Sequence, residues 1–164
     1  MKRIENMASR KIEDCTPSLQ QKIKAFAIAM YRAGIPFIIT CTARIVDEQV
    51  ALYAQGRKSL EDVNRLRAIA GLAAISGTQN KNRVTWTLQS NHLIDLEDGN
   101  PDNDKSRAFD IAISPGGKPV WELKVDVNND QKPDYEQAGL IGESVGLRWG
   151  GRFSKPDMPH FEDL

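Results

Sequence analysis

Apolar residues change their spacing partway along the chain, and the change divides it into a helical first half and a strand-rich second half. After Thr16-Pro17, residues Leu19, Ile23, Phe26, Ala27 and Met30 recur every three or four positions. That spacing predicts one buried helix face, with Thr16 as N-cap and Pro17 in the first turn. Gly34 stops the helix and Pro36 cannot continue it. The β-branched run PFIITCT (36–42) predicts a buried strand. Asp47 to Gln55 predicts a second helix, closed by Gly56. Ser59 with Asp62 opens a third, carrying Val63, Leu66, Ile69 and Ala70. Residues 76–80 are loop-forming.

Beyond that loop, VTWTL (84–88) and AFDIAI (108–113) are expected to be strands, separated by the acidic stretch 95–104. A turn at 114–117 precedes VWEL (120–123), a short strand or a helix start. A second acidic loop spans 126–134, a helix runs from Pro133 to Val145, and Gly146 ends it. The tail holds strand-like pieces in LRWGG and PHFE. No repeat or linker divides residues 1–164, so the expectation is a single α+β domain with no second unit.

The composition narrows the function. The 164 residues fit one domain, and 22 basic against 22 acidic residues give zero net charge. A general nucleic-acid or anionic-membrane binder would carry a basic excess. No run approaches the roughly 18 apolar residues of a membrane span. The N-terminal run MKRIENMASRKIED lacks the apolar centre of a secretory signal. Cys15 and Cys41 are too few for a disulfide scaffold and are expected to be reduced thiols, bridged only in an oxidising compartment.

Both histidines fall in suggestive places. His92 follows Ser90-Asn91, His160 sits in DMPHFE, and Asp110 lies on the apolar AFDI strand. A carboxylate among apolar residues needs compensation, and a metal ion is one form of it. Two imidazoles and one carboxylate make a catalytic zinc set that leaves a position for water. Asp157, three residues before His160, is the candidate base for the water proton. Separately, Asp126-x-Asn128-x-Asp130, with Asp134 beyond, follows the alternating oxygen donors of a calcium loop. Gln131 and Gln137 replace that loop's usual Gly and Glu, and the alternative is a solvated, turn-rich loop.

Taken together, Ser90-x-His92, Ala108-x-Asp110 and Asp157-x-x-His160 resemble the signature of the zinc D-alanyl-D-alanine carboxypeptidase and L-alanyl-D-glutamate endopeptidase family. The stretches 34–57, with Arg44 and EQxxLYAQGR, and 139–162, with GLxWGGxF and DxPHFE, resemble its first and last blocks. The resemblance implies a hedgehog/DD-peptidase-like fold, with helices packed on a small antiparallel sheet. It implies that His92, Asp110 and His160 bind zinc and that Asp157 is the base, where many relatives have Glu. Arg44 matches an arginine near the metal that holds a substrate carboxylate or polarises a carbonyl, with a structural salt bridge as its alternative. Ser90 is expected to position the site through its hydroxyl, Gln49 and Tyr53 to be structural, and Trp149 to be core.

One departure bears on the ligands. Relatives read HxxGxAxD, whereas here His92 and Asp110 are separated by an insertion from Ile94 to about Lys105. A loop can lengthen at small entropic cost, so Asp110 keeps the assignment, with Asp95, Asp98 and Asp102 as rivals.

DxPHFE resembles the bacteriophage endolysin branch. The implied activity is zinc-dependent cleavage of the L-Ala–D-Glu bond in peptidoglycan stem peptides, for host lysis. An endolysin would accumulate in the host cytoplasm, depend on a separate holin-type protein, and act as a monomer in the periplasm. The alternatives are a D,D-carboxypeptidase or dipeptidase for D-Ala-D-Ala ends, and a non-enzymatic zinc-containing wall-binding module.

Overall fold

The computed structural model describes residues 8–164; the first seven residues of the N-terminal run discussed above lie outside the described residues. Helix α1, Pro17–Arg32, starts where the pattern places it, with the Thr16 hydroxyl accepting from the Leu19 amide at 3.3 Å. It buries Leu19, Ile23, Phe26 and Met30. Strand β1, Phe37–Cys41, follows, and the short strand β2, Arg44–Ile45, leads into α2, Val46–Ala54. Helix α3, Leu60–Ile69, is capped by Ser59, whose hydroxyl accepts from the Asp62 amide at 3.1 Å. Then come β3 (Leu93–Ile94), β4 (Ala108–Ile113), α4 (Asp134–Ser144), β5 (Arg148–Trp149) and β6 (His160–Glu162).

The main sheet has the order β1-β4-β6-β5 and its pairings are antiparallel, while β2 and β3 form a separate parallel pair. The architecture is therefore a single α+β domain. Strand alternation separates the two faces of β4. Phe109, Ile111 and Ile113 enter the core beneath α1 and α4, which leaves Asp110 on the opposite face. In β6, Phe161 enters the same core, stacked on Phe109 with centroids 5.4 Å apart. Phe26 of α1 closes over both rings at 5.7 and 5.0 Å. The register pairs Phe109 with Phe161 and Asp110 with His160. Burial of the two phenylalanines thus fixes the pairing that brings the aspartate and the histidine side by side.

Two expectations need correction. The strand predicted over 84–88 does not form. Its carbonyls are taken by side chains instead of a neighbouring strand: Gln49 donates to the Thr87 oxygen at 2.7 Å, and Arg57 to the Thr85 oxygen at 3.0 Å. In VWEL, only Val120 pairs, in an isolated bridge to Ile113. Gly150 permits a close turn before β6, because a Cβ there would strike the Asp157 carbonyl oxygen. Trp149 is buried, and its indole nitrogen donates to the Met158 oxygen at 2.9 Å. Both cysteines are free and buried, and burial first of all pushes each thiol up to about 12.

Candidate metal centre

The polar face of the β4–β6 pair forms the floor of an open groove of about 780 Å³. Arg44, Ser90, His92, Asp110, Asp157 and His160 all line it. The irregular segment 84–91 and the segment 152–157 contribute to its walls. Gln49, 1% exposed, reaches from α2 to hold the first of these through Thr85 and Thr87.

Three atoms converge on the floor. His92 Nε2 lies 3.2 Å from Asp110 Oδ1 and 3.3 Å from His160 Nδ1, and His160 Nδ1 lies 3.0 Å from Asp110 Oδ1. The opposite nitrogen of each ring has its own acceptor. His92 Nδ1 donates to the Thr42 carbonyl at 2.8 Å, and His160 Nε2 donates to Glu162 Oε2 at 3.1 Å. A neutral imidazole carries one N–H, so these bonds leave Nε2 of His92 and Nδ1 of His160 bare. Two bare nitrogens and a carboxylate oxygen repel one another unless a cation stands between them. A tetrahedral zinc site with bonds of about 2.0–2.1 Å has ligand-to-ligand edges of about 3.3–3.4 Å. The observed triangle comes within a few tenths of an ångström of that, so the donor set fits a metal.

Burial disfavours a charged His160 ring, but hydrogen bonds to Asp110 and Glu162 outweigh it and raise its pKa to about 9. Burial likewise opposes the Asp110 carboxylate, yet the His92 and His160 rings hold it well below the usual carboxylate range. Glu162 is lowered chiefly by its bond from His160. Asp157 opens onto the groove; its desolvating surroundings raise its pKa, and the nearby Asp110 charge adds to the rise.

Arg44 donates to Asp110 Oδ2 at 3.3 Å, so it steadies the carboxylate oxygen that faces away from the histidines. Its Nε is buried without a partner. Ser90 Oγ accepts from the His92 amide at 3.2 Å, tightening the turn that presents the ring. The rival carboxylates lie elsewhere. Asp95 and Asp98 cap their own loop, accepting from the Glu97 and Asn100 amides at 3.1 and 2.8 Å. No residue of 94–105, Asp102 included, lines the groove.

Two residues at the centre escaped sequence reasoning. Cys41 sits opposite Asp110 at a β-bulge, its Sγ 3.6 Å from His92 Nδ1. Cys41, His92 and Asp110 offer one donor atom each, all within 4.8 Å of one another, a group able to hold a metal. Nothing local in the sequence marks the thiol, because the bulge places it. Glu162 was legible in principle: in His-Phe-Glu, alternation around a buried phenylalanine puts both polar side chains on one face.

Residues 104–163 match a family model described as D-alanyl-D-alanine carboxypeptidase. The match contains Asp110, Asp157 and His160 but not His92. The peptidoglycan L-alanyl-D-glutamate endopeptidase CwlK of Bacillus subtilis (strain 168) is 28% identical over 153 residues, covering 91% of this chain and 73% of that protein. The fold is similar to the crystal structure of the Serratia marcescens L-Ala D-Glu endopeptidase ChiX, with a TM-score of 0.54 and 18% identity over 99% of this chain and 94% of that one. The chain thus joins a candidate metal site on the floor of its groove to sequence similarity with an L-alanyl-D-glutamate endopeptidase and, over residues 104–163, with the D-alanyl-D-alanine carboxypeptidase model.

Proposed function

We propose that the chain is a zinc peptidase that cuts the L-Ala–D-Glu bond of peptidoglycan stem peptides. The observation that carries this reading is the triangle of His92 Nε2, Asp110 Oδ1 and His160 Nδ1 on the groove floor. These three residues would hold the metal, which when bound supplies Lewis acidity toward water and the scissile carbonyl. Cys41 stays outside this ligand set: its Sγ lies nearest His92 Nδ1, the nitrogen committed to Thr42 and turned away from the triangle. Asp157 takes the proton of the attacking water and passes it to the leaving amine. A raised pKa suits a carboxylate that must hold that proton between the two steps. Arg44 keeps Asp110 oriented and, with Ser90, meets the oxygens of the bound peptide.

The substrate comes from the named relatives, and the experiment that tests it is digestion of purified sacculi followed by mass spectrometry. New N-terminal D-Glu is expected. Free D-Ala would instead support a D,D-carboxypeptidase, the reading favoured by the description of the family model. A metal-loaded chain that releases neither product would support a non-enzymatic wall-binding module. The DMPHFE motif supports placing the enzyme among phage endolysins that accumulate in the host cytoplasm and act in the periplasm with a holin-type partner.

We also propose that the 126–134 loop binds calcium through Asp126, Asn128, Asp130 and Asp134. Asp134 is fully buried, and its Oδ1 has no hydrogen-bond partner. Burial raises its pKa, the Val127 amide bond opposes the rise, and the neighbouring Asp126 and Asp130 charges add to it. Gln131 adopts φ 68°, the left-handed turn for which such loops ordinarily use Gly. Calorimetric titration should show one calcium site that Asp134→Asn abolishes. Absence of heat in the parent protein would remove the proposal.

A further inference from the structure

Glu162 lies 5% exposed on the polar face of β6, two residues past His160. Its two oxygens have different tasks. Oε2 accepts from His160 Nε2 at 3.1 Å and from Asn91 Nδ2 at 2.7 Å, while Oε1 accepts from Arg148 at 3.1 Å. Asn91 is itself tethered, since its carbonyl accepts from the Arg107 amide at 2.8 Å and the Ser106 hydroxyl at 3.2 Å. The carboxylate is therefore held in plane from two sides, by the turn that carries His92 and by strand β5. It cannot swing away from His160 without breaking both contacts.

We propose that Glu162 is the positioning residue of the metal centre: by accepting the Nε2 hydrogen of His160, it aims a bare Nδ1 at Asp110 and His92. This rests on the reading that those residues bind the metal. The other histidine obtains the same service from a backbone carbonyl, that of Thr42. The two rings thus present opposite nitrogens, Nε2 of one and Nδ1 of the other, to one point. A histidine ring with no fixed acceptor divides its population between tautomers and orientations, and only one of these can coordinate. Through Asn91, Glu162 also ties the loop bearing one ligand to the strand bearing another.

The test uses full-length Glu162→Ala. Zinc affinity is measured by competition with a chromophoric chelator, and the His160 tautomer by long-range proton–nitrogen NMR of the zinc form. Affinity is expected to fall by about 10- to 100-fold, with His160 no longer held as the Nε2–H tautomer. A role confined to folding would lower the melting temperature of the metal-free protein and leave both readings alone; unchanged affinity with an unchanged tautomer overturns the proposal. If the alanine variant does not fold, Glu162→Met, which roughly keeps the volume and offers His160 no oxygen acceptor, decides the matter. A loss of several-fold supports the proposal, and parental affinity overturns it. A parental protein that takes up no metal overturns the metal reading itself, an outcome separable from parental uptake that is insensitive to Glu162.

Discussion

In the proposed metal centre, His160 is the residue on which proton and metal compete. In the metal-free protein its ring is charged at neutral pH, because hydrogen bonds to Asp110 and Glu162 overcome burial and raise its pKa to about 9. A metal needs Nδ1 bare, so loading should expel that proton. Calorimetry at pH 7.5 in two buffers of different ionisation enthalpy should report release of about one proton per metal bound. The raised pKa also sets the pH dependence of the metal-free protein. The stabilisation is fully present below the unfolded-state value near 6.5, and it is lost as pH rises through about 9. The melting temperature should fall across that window, and saturating metal should flatten the fall. The proposed base, Asp157, is separable by mutation from the proposed ligands. Asp157→Ala should retain zinc and lose about 10²- to 10⁴-fold in turnover, whereas His92→Ala and Asp110→Ala should lose zinc. Cys41→Ser should keep full zinc stoichiometry; a loss there would shift the ligand set to the thiol.

Among the elements, the β4–β6 pair does the work of assembly. Phe109 and Phe161 are fully buried, and their stacking sets a register that Asp110 and His160 follow on the other face. Gly150 supplies the close approach that lets the chain reach β6, with its α-carbon side against the Asp157 carbonyl and His160 Cβ. Gly150→Ala should therefore cost about 1–3 kcal/mol and also weaken metal binding, because the displaced backbone carries both Asp157 and His160. Chemical denaturation with and without zinc checks both effects. The groove wall shows a different principle. Residues 84–88 hold an apolar, β-branched pattern, yet they pair with no strand. Gln49 of α2 and Arg57 just beyond it satisfy their carbonyls instead, so the pattern misleads and these two side chains decide.

In the whole molecule, the insertion lies away from the groove. Its two ends meet where the Asp95 amide donates to the Asn103 carbonyl at 3.1 Å, and its middle is held by an Asp98–Asn103 contact of 2.8 Å. A loop closed on itself in this way can be shortened at small entropic gain and little structural cost. Replacing residues 96–102 with a two-residue turn should leave zinc stoichiometry and turnover within about threefold of the parent. A larger fall in turnover with metal retained would instead give the insertion a part in substrate handling. No helix among the described residues is long and apolar enough to cross a membrane.

The sequence alone determined the helix starts at Thr16 and Ser59 and the strand over 108–113, because capping chemistry and apolar period are local properties. It also singled out His92, Asp110, Asp157 and His160, since each stands in a short ordered motif. Only the tertiary structure decided that Nε2 of one ring and Nδ1 of the other face the same carboxylate oxygen. That depends on which acceptor each opposite nitrogen finds, Thr42 in one case and Glu162 in the other. It alone placed Cys41 beside His92, through a bulge, and turned the carbonyls of 84–88 toward Gln49 and Arg57 in place of a strand partner. These outcomes turn on contacts between residues far apart in the chain, where the free energy belongs to the assembled pair and neither partner's own sequence neighbourhood contains it.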